Sequence, residues 1–315
     1  MALEADLIVD RRRLRSQVSR WRFLALAILA AALLATGWVA AGRPGGDNTG
    51  DHIARVSLNG LITYDRPFIR VLEQVADNPS AKALMLLIDS PGGSTAGSEA
   101  IYIALRRVAE KKPVIAVVGT LGASGAYVAA LASDRIFAAQ TSLVGSIGVL
   151  IQWAEFDQAM KTLGVRFQEV KTSPLKASPN GYEPASDEAK AALRSIIDDS
   201  YKWFTALVRD RRQMDDATVA AVSDGRVFTG RQALDLRLVD QLGDGKVARM
   251  WLSRERSLPE TLAERDYRPR RDTVASFIGF SAARAVAALG LPEWVSHLFD
   301  DAAPRLDGLV SVWHP

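Results

Sequence analysis

The chain has 315 residues, 48% of them hydrophobic and 24% charged, with Lys and Arg outnumbering Asp and Glu by 39 to 36. That composition supplies the core of one large α/β domain with appendages and excludes bulk disorder. The arginines crowd near the N-terminus and around Arg268–Arg271 without forming a basic stripe interleaved with aromatics, so no nucleic-acid partner is expected. Cysteine is absent, which rules out disulfides, thiolate metal sites and cysteine nucleophiles.

Residues 1–22 form a basic tail carrying Arg11, Arg12, Arg13, Arg15, Arg20 and Arg22, and residues 23–41 are apolar and uncharged. A helix needs roughly 20 such residues to cross a bilayer. The bias of basic residues predicts a single-pass anchor in the cell inner membrane. The tail would lie in the cytoplasm and the rest of the chain on the periplasmic or extracytoplasmic side. A cleavable signal peptide ending near Val39-Ala40-Ala41 is the competing reading. The long basic region and the length of the apolar run favour an uncleaved anchor. Residues 42–51 read as a Gly/Pro/Asp/Asn linker.

Beyond it, strand-like and helix-like segments alternate, the pattern of a layered α/β domain over residues 52–256. Strands are expected at Ile53–Leu58, Ala83–Ile88, Val114–Val118, Arg135–Ala138 and Val165–Val170. The run Ala83–Ile88 is continuously apolar, as in a strand buried on both faces. Helices are expected at Phe68–Ala76, Ser98–Val108, Ser124–Leu131 and Asp187–Arg211. Residues 257–315 read as a tail that packs on the core, on another copy or on the membrane, with a helix-prone stretch at Ala275–Leu289.

Two strand-to-helix turns could carry chemistry. In Asp89-Ser90-Pro91-Gly92-Gly93-Ser94, paired glycines leave backbone N–H groups free to bind an anion or simply to turn the chain. In Gly122-Ala123-Ser124-Gly125-Ala126, a serine opens a helix. It reads either as a helix cap or as a nucleophile whose oxyanion would meet the helix N-terminus. The Gly-x-Ser-x-Gly spacing of a nucleophile elbow is not strictly met. A serine hydroxyl needs a base, and the three histidines, His52, His297 and His314, all lie far from it in sequence.

Taken in order, Ile88–Gly93 (IDSPGG), Gly122–Ala138 (GASGAYVAALASDRIFA), Thr141–Leu150 (TSLVGSIGVL) and Asp224–Gly243 resemble the characteristic blocks of the signal peptide peptidase A, or protease IV, family. That family is membrane-anchored and belongs to the ClpP/crotonase superfamily. The resemblance covers roughly Ile53 to Leu252 and implies a spiral of ββα units.

It also implies a serine endopeptidase that degrades signal-peptide remnants and other hydrophobic peptides, with no metal or organic cofactor. The nucleophile would be Ser124, and Ser146 would assist the lysine. The general base would be Lys176, in Thr172-Ser173-Pro174-Leu175-Lys176-Ala177, where Ser173 and Ala177 depart from the family's glycine and aspartate. Lys171 is the nearest competitor. The oxyanion hole would come from Gly93 and Gly125. Because the chain holds one unit of a fold that also occurs duplicated, the dyad would be shared between protomers of a homo-oligomer. A crotonase-type acyl-CoA enzyme and a catalytically inactive membrane scaffold remain alternatives.

Overall fold

The computed structural model describes residues 20–24, 26–27, 50–269 and 310–312. Most of the expected anchor at 23–41 and the helix-prone stretch at 275–289 lie outside them. Among the described residues no helix is long and apolar enough to cross a membrane. The chain divides into two units, residues 1–50 and 51–315, of which the first is described only in a short helical stretch.

The second unit is built on a mixed sheet whose described strands are β1 (His52–Ile62), β2 (Ala81–Ser94), β3 (Val114–Ala123), β4 (Arg135–Ala138), β5 (Leu143–Gly145), β6 (Val227–Thr229), β7 (Gln241–Leu242), β8 (Ala263–Tyr267) and β9 (Val310–Val312). The main order is β6-β5-β3-β2-β1-β8. Strand β3 carries two partners on one side: β4 along Ile115–Val118 and β5 along Leu121–Ala123. Strand β7 extends β4, and β9 adds to β2. The sheet therefore recruits two strands, β8 and β9, from the segment beyond residue 256.

Around the sheet lie α1 (Arg66–Asp77), α2 (Thr95–Ala109), α3 (Gly125–Leu131), α4 (Asp157–Thr162), α5 (Asp187–Arg212), α6 (Asp216–Val222), α7 (Gly230–Asp235) and α8 (Gly245–Arg256). As the continuous apolar run predicts, β2 is buried on both faces. Leu84, Leu86 and Ile88 join the larger core with α1 to α3. Ala83 and Met85 face the opposite way into a smaller core with Ala248 and Leu252 of α8.

Two expectations need correction. Residues 89–94 do not leave the sheet as a tight turn: β2 runs on through Gly92 and Gly93, which pair with Leu61 and Ile62 of β1 after register shifts. The segment Val165–Val170 forms no strand. Its polar residues Arg166, Gln168 and Glu169 break up the apolar ones, it lies exposed, and it pairs with no described strand.

Helix α3 is buried along its whole length, so its C-terminal carbonyls cannot turn to water. Arginines supply the donors instead. Arg211 of α5 donates to Leu131 O at 2.7 Å and Ser133 O at 2.9 Å, and Arg106 of α2 donates to Ala132 O at 2.9 Å. Their positive charge also suits a helix C-terminus. Next to Arg211, Arg212 grips both carboxylate oxygens of Asp240, at 3.1 and 2.9 Å, and Asp240 in turn accepts from Ile136 N of β4. The C-terminal turn of α5 thus fastens α3 and β4 together.

Replacing Arg211 by leucine strands two buried carbonyls and should cost about 1–3 kcal/mol in denaturant unfolding. Ile196→Ala, on the exposed first half of the same helix, should stay within about 0.5 kcal/mol. Equal losses for the two would contradict this division of α5.

Candidate active site

The site is assembled by parallel register. Ser90 of β2 pairs with Gly122 of β3, and Gly122 pairs with Val144 of β5. One residue on, Ala123 pairs with Gly145, and beyond that last pair stand Ser124 and Ser146. Both serines leave the sheet with positive φ, 56° and 49°, a region that L-residues with a Cβ enter at a cost. Ser124 is held there by donating its N–H to Gly145 O at 2.7 Å, and Ser146 by donating to Arg226 O at 2.8 Å. Both are buried, Ser124 at 1% exposure and Ser146 at 7%.

Ser124 occupies the N-cap position of α3, yet its side chain makes no capping hydrogen bond and its ψ is −121°. A capping serine would have extended backbone and would accept from the first turn, as Ser94 does before α2. The backbone of Ser124 instead has the sharp, strained geometry of a strand-to-helix nucleophile elbow. Of the two readings of this serine in the sequence, the cap is the one the geometry disfavours.

Glycines surround it because nothing larger fits. A Cβ on Gly125 would meet Ser98 Oγ at 2.1 Å and lie 3.3 Å from the backbone nitrogen of Gly93. That second distance brings Gly93 and Gly125, the two expected oxyanion donors, to one place. A Cβ on Gly93 would strike the carbonyl oxygen of Ile62 at 1.9 Å. The segment between is shaped by Ser90, whose buried Oγ accepts from Gly92 N at 3.1 Å. Ser98 Oγ donates to Ser94 O at 3.0 Å, so its position is fixed as well. Ser98 and Ile62 have no motif to mark them; only the threading of α2 and β1 past the serine reveals them.

Behind Ser124, the Tyr127 ring is fully buried and its hydroxyl donates to Leu238 O at 2.7 Å. Burial pushes its phenol pKa up, so it stays neutral and serves as a strut.

The expected lysine is not buried as the serines are. Lys176 sits in a run of turns at Thr172–Ala177, its N–H donating to Ser173 O, and its side chain is exposed. The segment around it is rich in exposed apolar side chains, including Phe156, Leu163, Val165, Phe167 and Leu175. Lys171, the competing base, contacts Glu169 and donates to Glu183 Oε1 at 3.1 Å. Its hydrogen bonds to these two carboxylates hold its pKa above the ordinary lysine value, which favours the ammonium.

The model of peptidase family S49 matches residues 106–258. The chain is 34% identical over 206 residues to a Synechocystis sp. protein named as a candidate protease, covering 65% of this chain and 74% of that one. It is 31% identical over 209 residues to a candidate protease of Methanocaldococcus jannaschii, covering 62% and 67%. An Enterococcus faecium protein named as a candidate signal peptide peptidase, SppA, is 28% identical over 222 residues, covering 66% and 64%.

Gly125→Ala should lower kcat/KM for an apolar peptide by about 100-fold or more, the scale of losing an oxyanion donor. Adding Ser98→Ala should return part of that loss, since the closest clash is with Ser98 Oγ. An active Gly125→Ala single variant would contradict the packing described.

Proposed function

Since the chain belongs to peptidase family S49, we propose that it is a membrane-anchored serine endopeptidase whose Ser124 is served by Lys176 of a neighbouring protomer. The observation that carries the serine assignment is the strained, uncapped Ser124 beside two converging glycine backbones. The ClpP/crotonase-like spiral fits the way β3 passes from β4 to β5 along one side.

The reaction is acyl transfer. Ser124 Oγ attacks the peptide carbonyl carbon while the neutral Lys176 amine takes the hydroxyl proton. The negative charge gathers on the former carbonyl oxygen, which accepts from the N–H groups of Gly93 and Gly125. Collapse breaks the C–N bond, and the lysine ammonium gives its proton to the departing amine. A water then loses a proton to Lys176 and attacks the acyl-enzyme, releasing the carboxylic acid and restoring the serine. Ser146, next to Ser124 by register, accepts from or donates to the lysine nitrogen and keeps it aimed.

A free lysine is protonated at neutral pH, with an unperturbed pKa of about 10.4. Burying an amine disfavours the charged form. The exposed apolar residues around Lys176 would supply that burial by docking on a second copy, because such surface is costly to leave in water. Sharing the dyad therefore accounts both for the exposure of Lys176 within one chain and for the apolar surface beside it. The single-pass anchor read at 23–41 and the relative named as a candidate signal peptide peptidase support hydrophobic peptides at a membrane, signal-peptide remnants among them, as substrates.

Complementation tests the shared dyad. Ser124→Ala and Lys176→Ala should each be inactive toward a quenched apolar peptide. Co-refolded in equal amounts, they should regain about a quarter of the activity, the fraction of interfaces that pair an intact serine with an intact lysine in a randomly mixed assembly. A mixture as inactive as its parts would reject the sharing. Lys171→Met should keep nearly full activity; its loss together with an active Lys176→Ala would move the base to Lys171.

A further inference from the structure

We propose that Ser90 is a positioning residue of the oxyanion site: its side chain aims the Gly93 N–H, and its backbone ties that donor to the strand carrying the nucleophile. The inference rests on the peptidase reading above and adds a residue to its machinery. Between the Asn59–Asp89 and Leu61–Gly92 pairs, β2 carries two residues, Ser90 and Pro91, where β1 carries only Gly60. Two residues against one make a β-bulge, which bends the strand and leaves backbone groups outside the ladder.

Donors are scarce within the bulge. Pro91 has no N–H. Gly92 is buried at a φ of 99°, and its N–H would be costly to leave without an acceptor. Ser90 Oγ is that acceptor, at 3.1 Å, through the side-chain-to-backbone turn that serine forms with the residue two positions on. This bond fixes the peptide plane between Pro91 and Gly92, and the next donor along is Gly93 N. That nitrogen lies 3.3 Å from where a Cβ on Gly125 would stand, so it is the donor the bulge presents to the second glycine.

The same residue is held from its other side. Ser90 pairs with Gly122 of β3, two residues before Ser124. It is fully buried, so neither contact is shared with solvent. One residue thus links the nucleophile's strand to the oxyanion donor, and the spacing of the two depends on a single side-chain oxygen. Misplacing a catalytic group by about 1 Å can cost roughly 100-fold in rate.

The test compares the full chain with Ser90→Ala, Ser90→Cys and Ser133→Ala in hydrolysis of a quenched apolar peptide. A cysteine thiol fills the site but accepts hydrogen bonds only weakly, so it gives the same reading should the alanine variant not fold. Ser133 is another buried serine, at the far end of α3, whose Oγ donates to Ala130 O at 2.6 Å. It reports what losing a buried hydroxyl costs away from the site. Both Ser90 variants should lower kcat about 100-fold with KM within about twofold, while Ser133→Ala leaves both constants alone.

A peptide aldehyde supplies a readout other than turnover. Ser124 Oγ adds across its C=O, the hydroxyl proton passes to the base and no group leaves, so the aldehyde oxygen takes the place of the oxyanion. Its inhibition constant should rise by the factor by which kcat falls. Unchanged kcat and aldehyde affinity in a folded Ser90 variant overturn the proposal, as does an equal loss of kcat in Ser133→Ala. A full chain that neither hydrolyses the peptide nor forms the aldehyde adduct, followed by mass, defeats the peptidase reading and takes this inference with it. Hydrolysis by the full chain together with an unimpaired Ser90→Ala defeats this inference alone.

Discussion

The parallel pairing of β3 with β2 on one side and with β5 on the other is the constraint on which the site depends. Pairing fixes Gly122 between Ser90 and Val144, and the next pair, Ala123 with Gly145, is the last before both chains turn. Each turn costs positive φ at a serine, of order 1–3 kcal/mol per residue. The surrounding sheet bears that cost because it is buried on both faces, and because Arg106 and Arg211 close the far end of α3. If the register of β5 slipped by one residue, Ser146 would no longer stand beside Ser124 and Gly145 would lose its place under the elbow.

The same constraint explains why the glycines are where they are. Gly93 and Gly125 do not serve flexibility. They let two backbones and the Ser98 hydroxyl approach more closely than any Cβ allows. An oxyanion site made of main-chain donors requires such an approach, and side-chain bulk would separate the donors. In the proposed site, chemistry and packing would make one demand of the same residues.

Much of this could be read from the sequence. The run Ala83–Ile88 announces a doubly buried strand, and the spacing of Asp187–Arg211 announces a long helix, because periodicity reports burial directly. The reading of Ser124 as a nucleophile rests on the family resemblance of its block, since the small residues about it are by themselves a weak signal; beside that resemblance stands the geometry of an N-cap serine with no capping hydrogen bond and positive φ. What stayed hidden depends on long-range contact. Ser98 and Ile62 matter only because α2 and β1 pass the serine. Strands β8 and β9, of five and three residues, are too short for periodicity to betray them. The expected strand at Val165–Val170 had β-prone residues but no partner, and propensity without an open edge does not make a strand.

The lysine segment is where one chain falls short of a working site. Ser124 is buried and strained, while Lys176 is exposed on turns among apolar side chains, and the proposed function joins them through a second copy. The absence of cysteine from the sequence makes that union directly measurable. A double variant, Ser124→Cys with Lys176→Cys, would carry two thiols and no others. Oxidised in its assembled state, it should form disulfides between chains and run on a denaturing gel as dimers and larger ladders that collapse on reduction. A product that stays at monomer mass with its two thiols bonded to each other would contradict the account.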